Sequence, residues 1–360
     1  MVDSQTIDKA VEALRSGKLV AIPTETVYGL GADASNAKAV QKIYELKGRP
    51  SNHPLIVHVQ APLPASIASS LQLEQDWISI LAPWTRHIPE TALILIKHFW
   101  PGPLTLVFER SKSVLDCVTG GQDTIAIRSP AHPLTQDILR AFGGGIAAPS
   151  ANRYGRISPT TAADVRSEFP QNPELLILDG GPCEHGIEST ILNVSQEGNP
   201  KLLRPGTITP SQIKTATGIE VVADHHQHSQ SPRVSGSHQA HYAPYTPLYL
   251  YHEGDVNQQI TEQSKKSSKK IALIVWTDCF DLYRKNFADL SAQLELSSVE
   301  KNPKQFGQIL YRLLRDLDQK NFGAIFIPNL PLEESWDAVR DRLQRASFGS
   351  GPSSSNQVSS

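Results

Sequence analysis

The sequence predicts an α/β protein of two domains, and three observations lead to this prediction. The chain has 360 residues, enough to bury two separate hydrophobic cores. Short apolar runs typical of buried strands alternate with segments of helical periodicity. Between residues 223 and 246 the apolar content falls, and histidine, serine and proline replace it. We therefore predict a domain at 1–222, a linker at 223–246, a smaller domain at 247–348 and a disordered tail at 349–360.

The first domain is predicted to begin with a helix and then to alternate between strands and helices. Asp3 or Ser4 can cap the first helix, which Gly17 ends. Asn36 can cap a second helix, which Gly48 ends. Further helices are predicted at 66–81, 133–142, 162–169 and 211–217, and buried strands at 19–23, 55–59, 104–108, 124–128, 146–149, 175–178, 191–194 and 202–204.

The second domain shows a more regular alternation. Strands are predicted at 248–251, 271–276 and 323–327, and helices at 306–317 and 336–343. Strands that alternate with helices favour parallel pairing, because each crossover returns the chain to the same edge of the sheet. We predict a small parallel α/β domain.

Composition excludes several classes of protein. The formal net charge of −2 argues against a protein that coats nucleic acid, although a local basic cleft remains possible. Three widely separated cysteines suggest a reducing compartment, with neither a disulfide framework nor a zinc site. The histidines at 225, 226 and 228 fit a solvated linker better than a metal site. Without a recognisable signal peptide or an apolar run long enough to span a bilayer, we expect a cytoplasmic location and no membrane partner.

Polar side chains collect where predicted strands and helices of the first domain end. Ligands of α/β proteins bind outside strand ends, where such loops converge. Four cations, many hydroxyls and no acidic pair fit a polyanionic ligand, and there is neither a Walker loop nor a recognisable Ser-His-Asp or Cys-His set. The spacing therefore indicates a phosphate-binding α/β enzyme, with these candidate residues: Thr24, Thr26, Lys47, Arg49, Thr124, Arg128, Ser150, Asn152, Ser189 and Arg204.

Each candidate also has a purely structural interpretation. Lys47 and Arg49 lie at a helix C-terminus, where cations suit the helix dipole. His58 lies in an apolar strand and could be a core residue with its hydrogen bonds satisfied, and His53 could be a simple turn residue. Ser150 and Asn152 could cap a turn. From the residues alone, these alternatives stay open.

Several blocks resemble, in the same order, those of the YrdC-like family. Lys47-x-Arg49 with Ser150-x-Asn152 matches the family's KxR…SxN signature, and further similar blocks lie at 23–31, 54–58, 100–105 and 186–190. The resemblance covers about residues 5–217. The segment His241-Tyr242-Ala243-Pro244 and the α/β tail extend it to the family's two-domain form. Residues 60–97 look longer than the usual connection, which suggests an extra surface element.

The resemblance implies a fold and an activity. The fold is a twisted mixed sheet with flanking helices and a concave ligand cleft, plus a smaller Rossmann-like parallel α/β C-terminal domain. The activity is synthesis of L-threonylcarbamoyl-AMP and pyrophosphate from L-threonine, bicarbonate and ATP with Mg²⁺. This is the first step in forming N6-threonylcarbamoyladenosine beside the tRNA anticodon. Downstream tRNA threonylcarbamoyl transferase proteins would receive the product, and stable direct tRNA binding is not expected.

Two other functions remain as alternatives. The first is an RNA-binding module with a basic cleft and no nucleotidyl transfer, which the charge balance and the scattered aromatic residues disfavour. The second is a carbamoyl-adenylate activity with another carbamoyl source. The acylphosphatase or zinc-finger segments expected for that type are absent from the sequence.

The resemblance also assigns residues to substrates. Lys47 and Arg49 would be the catalytic cations on the phosphates, and residues near Arg233 to Tyr242 would form a lid over the cleft. The residues expected along ATP are Lys47, Arg49, His53, Thr124, Ser150, Asn152, Ser158, Arg204 and Ser235. Those expected around threonine are Thr26, His58, Arg128, Ala148 and Ser189, with Arg128 pairing the substrate carboxylate. Val234-Ser235-Gly236 stands where the family often has Ser-Pro-Gly.

Overall fold

The computed structural model describes residues 4–63, 69–223, 231–236 and 238–351. They divide into two units. One unit holds the residues up to Tyr154 and those from Ser158 to Gly236, and the other holds Gly155–Ile157 and the residues from His238 onward. Within the described ranges, no helix combines the length and the hydropathy needed to cross a bilayer.

The first unit is built on a ten-stranded sheet in the order β10-β9-β8-β4-β5-β3-β6-β2-β1-β7. Strands β3 and β5 pair in parallel, as do β4 and β8, whereas β4–β5 and β3–β6 are antiparallel. The sheet is therefore mixed, as predicted. Its strands are β1 (Val20–Ile22), β2 (Gly29–Asp33), β3 (Ile56–His58), β4 (Leu104–Glu109), β5 (Thr124–Arg128), β6 (Ile146–Ala147), β7 (Leu176–Ile177), β8 (Thr190–Asn193), β9 (Lys201–Arg204) and β10 (Val222–Ala223).

The helices of the first unit pack on both faces of this sheet. The helices are α1 (Ser4–Arg15), α2 (Ala37–Lys47), α3 (Ser70–Leu81), α4 (Glu90–Phe99), α5 (Asp116–Thr119), α6 (Pro133–Phe142), α7 (Ala162–Glu168) and α8 (Pro210–Thr217). Helices α2, α3, α4, α7 and α8 contribute to the main core, whereas α1 and α6 pack on the opposite face of β1 and β6. Another part of that sheet, at Ile56, Val107, Ala126 and Ile191, packs against Val234.

Helix α2 shows how local sequence positions the site. The Asn36 side chain accepts hydrogen bonds from the backbone N–H groups of Lys38 and Ala39. At the other end Gly48 adopts φ 64°, a left-handed conformation that ends a helix readily only at glycine. The helix therefore stops where the sequence predicts, with Lys47 and Arg49 on either side of the stop.

The structure also contains elements that the sequence analysis missed. Strand β2 contains Gly29 and Gly31, which look like loop residues but leave space for the side chains of Ala148 and Ile146. Helix α4 lies in the proline-interrupted segment at 60–97, where periodicity is weak. The predicted helix at 66–81 begins at Ser70, and residues 66–68 lie outside the described residues.

The second unit contains a four-stranded sheet in the order β11-β14-β12-β13, and every pairing in it is parallel. The predicted parallel α/β fold is confirmed. The strands are β11 (Leu248–Tyr251), β12 (Ile271–Trp276), β13 (Leu294–Val299) and β14 (Ala324–Pro328), and the helices are α9 (Val256–Lys266), α10 (Phe280–Asn286), α11 (Pro303–Gln319) and α12 (Asp337–Gly349). The elements α9, α10 and β13 were not predicted, because their residues are largely polar.

Candidate functional site

The end of α2 is joined to the loop that carries Ser150 and Asn152. The ammonium group of Lys47 donates to the backbone oxygens of Ser150 at 2.6 Å and Asn152 at 2.5 Å. The Tyr154 N–H in turn donates to the Lys47 carbonyl at 2.8 Å. Burial lowers the pKa of Lys47 well below its usual value, and Arg49 lowers it further. Lys47 thus holds the loop in place from beneath, and only 3% of the residue is exposed.

Two arginines converge on one serine. Arg49 donates from Nη2 to the Pro54 carbonyl at 2.9 Å and to the Ser235 hydroxyl at 3.1 Å. Arg204 donates from Nη1 to the Ser235 carbonyl at 2.8 Å. Its Nε and Nη2 groups donate to the Ser189 carbonyl at 3.1 and 2.9 Å. Two residues predicted along ATP therefore meet at Ser235, and one of them also binds Ser189 from the predicted threonine set.

Residues 231–236, which we name the closing segment, lie over the open part of the sheet face. Arg233 is bound to Gln122 through its backbone N–H and to the Gly120 carbonyl through Nη2. Val234 packs in a buried apolar cluster with Ile56, Val107, Ala126 and Ile191. This is part of the predicted lid. Residues 224–230, with the three linker histidines, and residue 237 lie outside the described residues.

Arg128 lies at the end of β5 and is 3% exposed. Its Nε donates to the Gly102 carbonyl at 3.1 Å, and Nη1 donates to the Thr26 hydroxyl at 2.8 Å. Its Nη2 lies 2.7 Å from Oε1 of Glu25, an ion pair between two buried side chains. Neither of these two atoms makes a hydrogen bond among the described residues. Arg128 is therefore held firmly while its Nη2 group still has hydrogen-bonding capacity.

His58 lies beside Arg128, because β3 and β5 pair in register at these two residues. Burial, together with the neighbouring Arg128 charge, lowers the pKa of His58 to about 3. The imidazole is therefore neutral at physiological pH. Its Nδ1 is buried and makes no hydrogen bond among the described residues. A buried nitrogen without a hydrogen bond is unusual in a hydrophobic core, and it is suited to bind a ligand.

The remaining residues predicted around threonine are buried close to the same strands. The Ser189 hydroxyl lies 2.7 Å from that of Thr105. Ala148 is 4% exposed, and its N–H donates to the Ile56 carbonyl at 2.9 Å. Both positions carry small side chains.

The other residues predicted along ATP are more dispersed. His53 Nδ1 lies 3.2 Å from the Tyr154 hydroxyl, and the buried Ser158 donates to Glu188 at 2.6 Å. Thr124 begins β5 on the same face as Arg128, and four residues of extended chain separate them by about 13 Å. The residues predicted along ATP and those predicted around threonine meet where Arg204 donates to Ser189.

Two buried carboxylates were not assigned by the sequence analysis. Glu25 pairs with Arg128 and Glu188 accepts from Ser158. A charged residue within an otherwise uncharged block, such as Thr24-Glu25-Thr26, is the signal that could have identified Glu25. Over the described part of the chain, no group of three His, Cys, Asp or Glu residues is arranged to hold a metal ion.

Comparison with known proteins adds independent information. Residues 12–206 match the family model described as "Telomere recombination", and residues 208–347 match "Threonylcarbamoyl-AMP synthase, C-terminal domain". A Bacillus subtilis threonylcarbamoyl-AMP synthase is 37% identical over 348 residues, which cover 95% of this chain and 93% of that protein. A putative threonylcarbamoyl-AMP synthase of Mycobacterium tuberculosis is 33% identical over 220 residues, which cover 61% of this chain and 93% of that protein.

A solved structure is similar over nearly the whole length. It is the crystal structure of Pyrococcus abyssi Sua5 complexed with L-threonine, with a TM-score of 0.79 and 33% identity. The match covers 98% of this chain and 97% of that protein.

Proposed function

The chain belongs to the threonylcarbamoyl-AMP synthase family in its two-domain form, and we propose that its first unit carries the active site. The enzyme makes L-threonylcarbamoyl-AMP, the first step of the tRNA N6-threonylcarbamoyladenosine modification. In the full reaction that we propose, L-threonine and bicarbonate form a carbamate, which reacts with ATP to release pyrophosphate.

The contact that best supports this location is the double contact of Ser235. Its hydroxyl binds Arg49, its carbonyl binds Arg204, and Arg204 continues to Ser189. One segment thereby connects the cations suited to a triphosphate with the pocket around Arg128. An adenylating enzyme needs such continuity, because the carbamate must reach the α-phosphorus without leaving the site.

The proposed reaction requires that the substrates be positioned and the phosphate charge be neutralised, and it does not require a strong base. A carbamate oxygen is already anionic, so it can attack the α-phosphorus directly as the bond to pyrophosphate breaks. The carbamate is labile in water, and the closing segment, with Val234 buried on the sheet face, would exclude water from it. Cations at the phosphates would stabilise the charge of the transition state.

The contacts divide the two catalytic candidates into different roles. Arg49 and Arg204 lie beneath the closing segment and are placed to meet phosphate oxygens once a nucleotide enters. Lys47 instead binds the carbonyls of Ser150 and Asn152. We infer that Lys47 positions the loop that receives the nucleotide, while Arg49 contacts the phosphates.

Mg²⁺ is proposed as a companion of ATP. Of the two buried carboxylates in the site, Glu25 pairs with Arg128 and Glu188 accepts from Ser158. The described residues therefore do not form a protein cage for the ion. Mg²⁺ would be held mainly by phosphate oxygens, and no step proposed here passes through it.

The proposed activity also suggests partners and a cellular location. The product would pass to tRNA threonylcarbamoyl transferase proteins, without stable binding of tRNA to this chain. We propose a cytoplasmic location, where tRNA and reduced thiols occur. The three cysteines, all free, support this setting.

The direct test is pyrophosphate release from ATP with each component omitted in turn. We expect strict dependence on both L-threonine and bicarbonate. Full turnover without threonine would contradict the proposed reaction. Salt-sensitive RNA binding that needs neither ATP nor threonine, without pyrophosphate release, would instead support the RNA-binding alternative.

A further inference from the structure

Two buried groups of opposite charge lie in contact without a hydrogen bond between them. Arg128 Nη2 and Glu25 Oε1 are 2.7 Å apart, and each lacks a hydrogen-bond partner among the described residues. Both residues are at least 95% buried. A buried donor or acceptor that makes no hydrogen bond lowers the stability of the folded protein unless a ligand supplies the missing hydrogen bond.

The rest of Glu25 is fixed in place. Its Oε2 accepts from the Ala131 N–H at 3.0 Å, and its carbonyl accepts from the His185 N–H at 2.8 Å. Arg128 is fixed by Gly102 and Thr26. Contacts made by the other atoms of Glu25 and Arg128 therefore hold Oε1 and Nη2 next to each other.

These two atoms match the two charged groups of an α-amino acid. The carboxylate and the ammonium of such a molecule are attached to the same carbon, so they can reach two protein groups that are themselves in contact. The substrate carboxylate would accept from Nη2, and the ammonium would donate to Oε1. His58 Nδ1, also without a hydrogen bond, lies on the neighbouring strand and could meet the side-chain hydroxyl.

Charge balance adds a reason for selectivity. Arg128 and Glu25 together carry no net charge, so a zwitterion leaves the buried site neutral. A carboxylic acid without an amine would add an uncompensated buried anion, which is strongly disfavoured. Without Glu25, the guanidinium would accept any small carboxylate that fits.

We propose that Glu25 is a specificity-determining residue that makes the pocket select a zwitterionic amino acid over the same skeleton without its amine. The proposal deepens the proposed function and rests on the assignment of Arg128 to the substrate carboxylate.

The test compares L-threonine with 3-hydroxybutanoate, which has the same skeleton but no amine. Binding of both compounds is measured by calorimetry, and inhibition by 3-hydroxybutanoate is measured in the pyrophosphate assay. In Glu25→Gln we expect the preference for threonine to fall by about 10-fold to 100-fold, the value of one charge-assisted hydrogen bond. The KM for ATP should stay within about 2-fold, because Glu25 contacts Arg128, Ala131 and His185, none of which is predicted along ATP.

Two further variants make the result decisive. Glu197→Gln alters an exposed carboxylate and should behave as the wild type. Glu25→Asp keeps the charge and should retain the preference for threonine over 3-hydroxybutanoate even if the affinities for both compounds fall. The proposal therefore stays testable if Glu25→Gln does not fold. An unchanged preference in Glu25→Gln, or a lost preference in Glu25→Asp, would overturn the proposal. Failure of the synthase assignment would appear separately, as wild-type protein without threonine-dependent pyrophosphate release.

Discussion

At the scale of single residues, the site is distinguished by polar groups that are buried before any ligand arrives. His58, Arg128 and Glu25 are each less than 6% exposed. Burial of this kind is costly, so each group is either paired or adopts its neutral form. Arg128 and Glu25 pair with each other, whereas His58 is neutral.

The neutrality of His58 predicts how stability depends on pH. Its pKa is about 3 in the folded protein and close to 6.5 in the unfolded chain. Between these values the unfolded chain binds the extra proton, so the free energy of unfolding should fall as the pH drops below about 6.5. The contribution approaches about 1.4 kcal/mol per pH unit.

Urea unfolding at pH 7.5, 6 and 5 measures this contribution. His58→Gln removes the titrating group and should show a shallower loss of stability over this range than the wild type. His98→Gln, at an exposed histidine on α4, should keep the wild-type slope. Equal slopes for wild type and His58→Gln would contradict a neutral buried His58.

At the scale of elements, the end of α2 brings together three residues with different contacts. Gly48 ends the helix, Lys47 holds the Ser150–Asn152 loop, and Arg49 reaches Ser235. The helix dipole alone would account for cations here. The contacts show that the two cations have different partners.

Substitutions should separate the two cations. Lys47→Ala leaves two buried carbonyl groups without a donor, so we expect both activity and stability to fall, the latter by about 2 kcal/mol or more. Arg49→Ala should lower pyrophosphate release by about 10²-fold to 10³-fold and should cost less stability than Lys47→Ala, because Ser235 still donates to the Pro54 carbonyl.

Pyrophosphate release and urea unfolding, measured on the same preparations, test this separation. Lys38→Ala, at an exposed position of α2, is the matched control and should retain activity and stability. Wild-type stability in Lys47→Ala would show that Lys47 does not support the loop.

At the scale of the whole molecule, the closing segment belongs to the first unit although it follows that unit's last strand, β10. The chain therefore offers two informative truncation points. A protein ending at Ala223 lacks residues 231–236, and a protein ending at Gly236 keeps them.

We expect both truncated proteins to fold but only the longer one to retain substantial turnover. The protein ending at Ala223 loses the cover of Val234 and the contacts of Ser235, so its pyrophosphate release should fall by at least about 10-fold. The protein ending at Gly236 should recover a measurable part of this loss. Equal activity in the two would refute the role of the closing segment.

Many helices and strands could be predicted from the sequence, because the residues that define their ends and their cores are close together along the chain. Asn36 and Gly48 predicted the limits of α2, and the apolar run at 271–276 predicted β12. Strand β2 was missed because Gly29 and Gly31 suit both loops and closely packed strands. Helix α4 was missed because it is apolar on several sides, so its periodicity is weak.

The residue types of the site were likewise fixed by the sequence: cations and hydroxyls at strand ends, and a resemblance that assigned them to two substrates. Only the tertiary structure shows which atoms of these residues remain available to bind the substrates. Lys47 lies 103 residues from Ser150 along the chain, and Arg128 lies 102 residues from Thr26. Contacts at such separations depend on strand order and register, which local periodicity does not encode. For this reason Lys47 emerged as the support of a loop and Glu25 as the partner of Arg128 only in the folded chain.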